Sequence, residues 1–180
     1  NAHSTKHWRD TQYEIKGPAV AGFQKAFCEN WFELTRENLG GSSYFPELVG
    51  VGKTPVQVIF DSPWDGSHPI AHGVLAAING ARKSLLLQQS YFVPNRDFRE
   101  ALLRAAARGV EVEVMVPNHL VDSRPTRYAS QNYWAELLEG GIRIYQYEAT
   151  MMHSKLLVAD GQLSIVGSGN LDDRSFFIND

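Results

Sequence analysis

A histidine and a lysine two positions apart, His153 and Lys155, are the side chains of this sequence best suited to chemistry by type and spacing. They lie in an apolar segment that predicts a strand, and successive side chains on a strand point to opposite faces. We therefore expect the imidazole and the ammonium on one face. Imidazole acts as nucleophile or general acid near neutral pH, so this face is a candidate catalytic surface. The competing interpretation is a solvated strand edge.

A hairpin is predicted directly after this strand. Asp160 and the glycine that follows it separate two apolar runs, which is the strongest short signal for a β-hairpin. A two-residue turn at this point pairs Ala159 with Gln162. Counting back along both strands then places His153 opposite Ser168.

The same register predicts which other polar residues approach the histidine. Asn170 falls just past His153, so His153, Lys155, Ser168 and Asn170 are expected to converge from adjacent strands. Asp160 does not converge, because the strand between it and His153 spans roughly 20 Å at about 3.3 Å per residue. We therefore expect Asp160 to serve the turn.

The elements that hold this hairpin alternate between extended and helical patterns. Residues 11–16 alternate like a strand, a helix begins after Gly17 and Pro18 and runs through Trp31, and residues 40–54 are rich in Gly, Ser and Pro. Further patterns predict strands at residues 56–60, 84–93, 110–116, 142–147, 154–159 and 163–166, and helices at residues 70–81, 98–108 and around 133–138. This alternation predicts an α/β fold, an α/β/α sandwich whose mixed sheet is mostly parallel.

Composition limits the class of protein. With 180 residues, 43% apolar letters and a formal net charge of -3, the chain can bury a core and has no general attraction for polyanions, although Arg124 with Arg127 could meet a phosphate. The single cysteine, Cys28, excludes an internal disulfide framework and leaves zinc without its usual thiolate cluster. No apolar run approaches the roughly 20 residues needed to span a bilayer, so we expect a soluble segment that could be a fragment.

The hairpin carries the HKD signature of the phospholipase D superfamily, His-x-Lys-x-x-x-x-Asp followed by Gly-Ser-x-Asn. Every fixed position is present between His153 and Asn170. Other segments extend the resemblance to bacterial cardiolipin synthases over nearly the whole chain. They are Trp8-Arg9-Asp10-Thr11, Gly17-Pro18-Ala19-Val20, Ser90-Tyr91-Phe92-Val93-Pro94, Arg108-Gly109-Val110 and residues 170–176.

The resemblance also implies a domain organisation. In that family the Trp-Arg-Asp segment follows the first of two HKD motifs, and no second His-x-Lys occurs in this sequence. The chain thus looks like a C-terminal half, with residues 1–40 ending the first HKD half, 41–55 connecting, and 56–180 forming the second phospholipase D-like domain. Its partner would be the missing N-terminal half or a second copy in a homodimer. The fragment alone is expected to be inactive or nearly so.

By resemblance, the function is that of a phosphatidyltransferase of cardiolipin synthase type. It would act through a phosphohistidine intermediate on phosphatidylglycerol-like phosphodiesters. His153 would be nucleophile or general acid, Lys155 and Asn170 would hold the nonbridging oxygens, and Ser168 with Gly167 would fix the local geometry. The scheme requires no metal and no cofactor.

Acidic residues complete the site that the resemblance implies. Family members supply one shortly after each Gly-Ser-x-Asn to orient a histidine, so Asp180 or the next position would orient His153. Asp10 would orient the histidine of the missing first motif and would be an orphan in this chain. Asp160 belongs to the catalytic set as a fixed position of the motif.

Tyr91 and Phe92 are candidate substrate-binding residues, because they resemble a family segment at a strand end, where loops often carry function. Their alternative is a place in the core.

The function has alternatives too: a phospholipase D-type hydrolase, a nuclease or other phosphodiesterase, or a non-enzymatic partner-binding half-domain. The expected partners are a phospholipid and a membrane surface, with no specific nucleic acid. The expected location is the bacterial inner membrane, peripheral or anchored by absent upstream segments, with the cytoplasm as alternative.

Overall fold

A computed structural model describes residues 7–61 and 66–177 of the chain. In chain order the elements are β1 (Trp8–Arg9), α1 (Val20–Thr35), α2 (Pro69–Gly80), β2 (Ser84–Gln89), α3 (Arg96–Ala107), β3 (Glu111–Pro117), α4 (Arg124–Gln131), α5 (Trp134–Glu139), β4 (Arg143–Tyr147), β5 (Met151–Met152), β6 (Lys155–Ala159), β7 (Leu163–Val166) and α6 (Asp173–Phe177).

The described residues form two compact units. One consists of residues 7–11 together with 61 and 66–177, and the other is Gln12–Phe60. The first unit contains the HKD hairpin and also the short β1. The predicted division at residues 40 and 55 concerns the halves of a longer protein, so it stays a prediction.

The unit Gln12–Phe60 is built around α1, which follows Gly17 and Pro18 as predicted. The helix ends at Thr35. Arg36 caps it with a left-handed φ of 62°, and its N–H donates to Phe32 O. The predicted strands at 11–16 and 56–60 are not formed. Their alternating patterns have no partner strand in this unit, and an extended segment becomes a strand only through a ladder of hydrogen bonds.

The main sheet has five strands in the order β4-β3-β2-β6-β7. β2 pairs in parallel with β3, and β3 with β4, whereas β6 runs antiparallel to both β2 and β7. Two pairings of this sheet are therefore parallel and two are antiparallel. The predicted α/β class with a mixed sheet is confirmed.

Buried positions follow the expected periods. In α3 they fall at Phe98, Ala101, Leu102 and Ala105, one helical face, and in β3 every second residue from Val112 is buried. Together with α2, α5 and the central strands these residues form one core. Among the residues described, no helix is long and apolar enough to cross a bilayer.

Two element predictions need correction. The strand predicted at residues 84–93 ends at Gln89, because Ser90 begins an irregular segment that leads to Pro94, which lacks a backbone donor. Helix α4 was not predicted, because its polar residues show no clear apolar period and Pro125 looks like a breaker. Proline is tolerated in the first turn of a helix, which is where Pro125 lies.

Candidate functional site

The HKD hairpin forms with a turn at the predicted place and a register that differs by one residue. Asp160 and Gly161 have positive φ angles of 55° and 67°, and Gln162 N donates to Ala159 O at 3.0 Å. The ladder nevertheless pairs Ala159 with Leu163, so Gln162 is an extra residue, like a bulge. The predicted pairing of Ala159 with Gln162 is wrong. The placement of His153 opposite Ser168 was counted from that pairing, so it is wrong as well.

His153 lies between β5 and β6 and is held by the segment of β1. That strand pairs in parallel with β5, and His153 N donates to Arg9 O at 2.8 Å. The Trp8 ring lies against the imidazole, with 4.4 Å between ring centroids and an interplanar angle of 37°. Backbone and ring contacts from the chain start therefore fix both the position and one face of His153.

Asp10 is the carboxylate partner of His153. Its Oδ2 lies 3.1 Å from His153 Nδ1. Burial acts to raise the pKa of Asp10, but hydrogen bonds from Thr11 N and His153, with the nearby charges of His153 and Lys155, lower it overall. The expectation that Asp10 is an orphan in this chain is wrong, because the pairing of β1 with β5 carries it to His153.

Lys155 is buried, with 9% of its surface exposed, and lies on the same side as His153. Its Nζ donates to His153 O at 2.6 Å and lies 3.0 Å from both ring nitrogens. An atom equally close to both nitrogens must lie above the ring. Burial lowers the pKa of Lys155, while the charges of Asp10 and Asp122 act to raise it.

Asn170 is placed by the segment after β2. Ser90 Oγ donates to Asn170 Oδ1 at 2.8 Å, and Asn170 N donates to Ser175 Oγ at 3.0 Å. Gly167 N reaches Lys155 O at 3.4 Å, which continues the hairpin for one more residue. Ser168 is exposed, and within residues 7–61 and 66–177 it forms no hydrogen bond with the other motif side chains.

Asp160 lies at the other end of β6 from Lys155. Its carboxylate accepts hydrogen bonds from three consecutive amides, Arg82 N, Lys83 N and Ser84 N, at 2.7 to 3.2 Å. The bonds from Ser84, Lys83 and Arg82 lower the pKa of Asp160. The carboxylate thus joins the turn to the start of β2, and it does not contact His153.

Tyr91 and Phe92 lie at the carboxyl end of β2 in different environments. The Tyr91 hydroxyl donates to Asp122 Oδ2 at 2.7 Å, and burial together with Asp122 raises the pKa of Tyr91 to about 12. Phe92 is 1% exposed and bridges to Leu171 in the core. Sequence reasoning missed Asp122, although a carboxylate in the loop after a buried parallel strand is a common signal of a site.

Two expectations concern residues or groups that the structure does not place. Asp180, the predicted orienting acid, lies outside the described residues. No group of three or more His, Cys, Asp or Glu side chains with metal-site geometry occurs in the described ranges.

The geometry defines what the site can do. The tautomer in which His153 Nδ1–H donates to Asp10 leaves the lone pair on Nε2, where it is available for attack or for proton transfer. Lys155 supplies a positive charge beside that ring. Asn170 lies in the segment after β7, where Ser90 holds its side-chain amide. A nucleophile next to a buried cation suits displacement at an anionic phosphorus centre.

Fold comparison with solved structures assigns the class. Nuc from Salmonella typhimurium, described as a phospholipase D family member, superposes with a TM-score of 0.52 at 25% identity, covering 61% of this chain and 69% of that chain. NucT from Helicobacter pylori superposes with a TM-score of 0.50 at 19% identity, covering 64% of this chain and 76% of that one. The fold is thus that of the phospholipase D class.

Sequence comparison narrows the class to a family. The family described as "Cardiolipin synthase, PLD-like domain" matches residues 74–180, and the chain belongs to it. The cardiolipin synthase of Geobacillus thermodenitrificans is 38% identical over 174 residues, 96% of this chain and 34% of that protein. Cardiolipin synthase 2 of Staphylococcus epidermidis is 38% identical over 175 residues, 96% of this chain and 36% of that protein. The chain thus spans about a third of the length of these relatives.

Proposed function

We propose that this chain supplies one catalytic histidine of a phosphatidyltransferase of cardiolipin synthase type. The observation that carries the proposal is the cluster of Asp10, His153 and Lys155 in a chain whose family match covers residues 74–180. The relatives named cardiolipin synthase support phosphatidylglycerol-like phosphodiesters as substrates.

The first step is attack by His153 Nε2 on the phosphorus of the donor lipid. A P–N bond forms, the P–O bond to the headgroup glycerol breaks, and an acid on the far side protonates the leaving alkoxide. Lys155 and Asn170 hold the nonbridging oxygens while negative charge grows on them. The product is a phosphatidyl group carried on His153.

The second step returns the phosphatidyl group to an alcohol. A hydroxyl of a second phosphatidylglycerol attacks phosphorus, its proton passes to the group that had acted as acid, and the P–N bond breaks. One imidazole cannot stand on both faces of phosphorus at once. The proposal therefore includes a second histidine, from an HKD motif elsewhere in a longer protein or from a second copy of this chain.

Hydrolysis is the alternative that the same residues allow. Water in place of the acceptor alcohol would make the enzyme a phospholipase D or another phosphodiesterase, and the likeness to Nuc supports this class of chemistry. The two outcomes differ in the acceptor and share the intermediate. An assay must therefore detect the intermediate and the products separately.

The test uses the longest natural protein that contains this chain, with fluorescent phosphatidylglycerol in vesicles. We expect cardiolipin and glycerol in equal amounts, and an acid-labile lipid adduct on the peptide that carries His153 after rapid quenching. His153→Ala should abolish adduct and product. His72→Ala, which removes an exposed histidine of α2, should leave both unchanged.

The outcomes separate the candidates. Phosphatidic acid as sole product, with the adduct still on His153, would replace transferase by hydrolase. Normal turnover in His153→Ala would overturn the assignment of this residue. Unfolding is not expected to obscure the result, because a side chain that is 28% exposed contributes less to stability than a core residue.

A further inference from the structure

A pocket lies beside the candidate site, at the carboxyl ends of β2 and β3. Its walls come from the segment after β2, the end of β3 and one face of α4, with an empty space of about 260 Å³ that includes solvent at the mouth. The enclosed part has room for about one water-sized group. A larger ligand would therefore place a single atom inside and keep the rest at the mouth.

Arg127 of α4 lines this pocket with an unsatisfied donor. Its Nε is buried and has no hydrogen-bond partner in the part of the chain that the structure describes. Other polar side chains of the wall are engaged, since Ser90 Oγ donates to Asn170 and Ser130 Oγ accepts from Trp134 Nε1. A buried guanidinium N–H without an acceptor is unfavourable, and an anionic oxygen is the acceptor that best matches its charge.

The pocket and the HKD residues share a wall. Ser90 lines the pocket and bonds Asn170, so a ligand at Arg127 would be a neighbour of a phosphate held by Asn170. Tyr91, the next residue, also lines the pocket and turns its hydroxyl to Asp122. The carboxylate of Asp122 would repel an anion that approaches from this side. Arg127 is therefore the group in the pocket wall that can attract an anion.

We propose that the pocket is an anion subsite in which Arg127 binds one nonbridging oxygen of a phosphodiester distinct from the one that reacts at His153. This inference rests on the proposed function, because transfer between two phosphatidylglycerol molecules brings two phosphates to the enzyme. The HKD residues hold the phosphate of the donor. The phosphate of the acceptor lies a three-carbon glycerol away from the attacking hydroxyl, and Arg127 is the group that holds it.

The test follows binding at Arg127 directly, with no need for catalysis. The ¹⁵N-labelled chain is titrated with glycerophosphoglycerol, the soluble headgroup of phosphatidylglycerol, and separately with inorganic phosphate. We expect glycerophosphoglycerol to shift the Arg127 Nε–H signal and the amides of Thr126 and Ser130 in a saturable way. Arg127→Gln should weaken the binding seen at those amides about tenfold or more, since it removes a charge-assisted bond.

Arg124→Gln is the matched control, because it removes an equal charge from an exposed position of the same helix and should leave the dissociation constant unchanged. Arg127→Lys keeps the charge without Nε and should weaken binding as Arg127→Gln does. If either variant melts early, the titration of the wild-type chain decides alone. In the labelled chain His153→Ala should keep this binding, and in the longest natural protein it should abolish phosphoryl transfer, so failure of the subsite and failure of the proposed function give different results.

A saturable shift at Arg127 by glycerophosphoglycerol, with or without one by phosphate, supports the subsite. A shift by phosphate alone would assign the pocket to free phosphate and overturn the lipid headgroup. No saturable shift with either probe, or equal losses in Arg127→Gln and Arg124→Gln, would overturn the site itself.

Discussion

At the scale of single residues, the contact between Asp10 and His153 orients the imidazole more than it stabilises the fold. The side chain of Asp10 is 54% exposed, and a carboxylate–imidazole contact of such exposure contributes little to the free energy of unfolding. Its value lies in orientation, because a carboxylate on Nδ1 fixes the tautomer and the direction of Nε2. Trp8 adds a ring contact on one face of the imidazole. Mutation of Asp10 should therefore affect rate more than stability.

Asp10→Asn is predicted to lower kcat about tenfold or more with a small change in KM, since the amide still reaches Nδ1 but no longer favours the right tautomer or an imidazolium. Steady-state kinetics in the longest natural protein measure this. A rise in KM with normal kcat would instead make Asp10 a substrate-binding residue.

The same variant has a signature in the stability of the chain against pH. The folded-state pKa of Asp10 is lowered, so its contribution is present above the ordinary value of 3.8 and is lost as the pH falls through the folded value. Asp10→Asn should make the melting temperature depend less on pH below about 3.8, the ordinary pKa of the carboxyl. Glu14→Gln, at an exposed carboxylate that pairs with Lys16, is the control.

At the scale of elements, the two ends of β6 have different tasks. Lys155 begins the strand beside His153, and Asp160 follows its last residue and binds three amides at the start of β2. One end contacts His153, the proposed nucleophile, and the other bonds the segment that connects α2 to β2. The fixed spacing of the HKD motif thus joins the end proposed for catalysis to an end that serves the structure.

Lys155→Met and Asp160→Asn are predicted to diverge. Lys155→Met should reduce kcat about a hundredfold or more, with a melting temperature equal to or above wild type, because it removes a desolvated ammonium. Asp160→Asn should keep much of the activity and melt earlier, because one neutral oxygen replaces a carboxylate that bonds three amides. Turnover and thermal unfolding of both variants test this. Equal loss of activity with unchanged melting would make Asp160 catalytic.

At the scale of the whole molecule, the described chain offers one HKD histidine. The proposed chemistry at phosphorus needs a group on each face, and the relatives are about three times as long as this chain. The net charge of -3 gives no general attraction for an anionic surface, so the proposed lipid substrate must be recognised through local contacts.

The chain by itself is predicted to be inactive or nearly so as a monomer. A chromogenic phosphodiester and phosphatidylglycerol vesicles serve as substrates, with sedimentation analysis of the same sample. Activity that rises with the square of concentration would show that two copies of His153 face each other. Robust turnover by a proven monomer would contradict the need for two histidines.

Local patterns in the sequence determined much of this protein. Several features follow from signals that lie within a few neighbouring positions: the HKD motif, the turn at Asp160, the strand β7 and the helices α2 and α3. Both helices start within two residues of their predicted starts. Backbone preferences and side-chain periods are local properties, so they can be predicted from the sequence without knowledge of the tertiary structure. The family resemblance and the α/β class rest on the same signals and are confirmed.

Tertiary structure decided what depends on distant contacts. Asp10 meets His153 across 143 positions, the extra residue Gln162 changes the pairing of two strands, and Arg127 is left unsatisfied in a pocket made by three elements. No short pattern encodes these, because each results from how the strands and helices pack as a whole. A one-residue change in register reverses the face of every side chain, and only the assembled sheet selects the register.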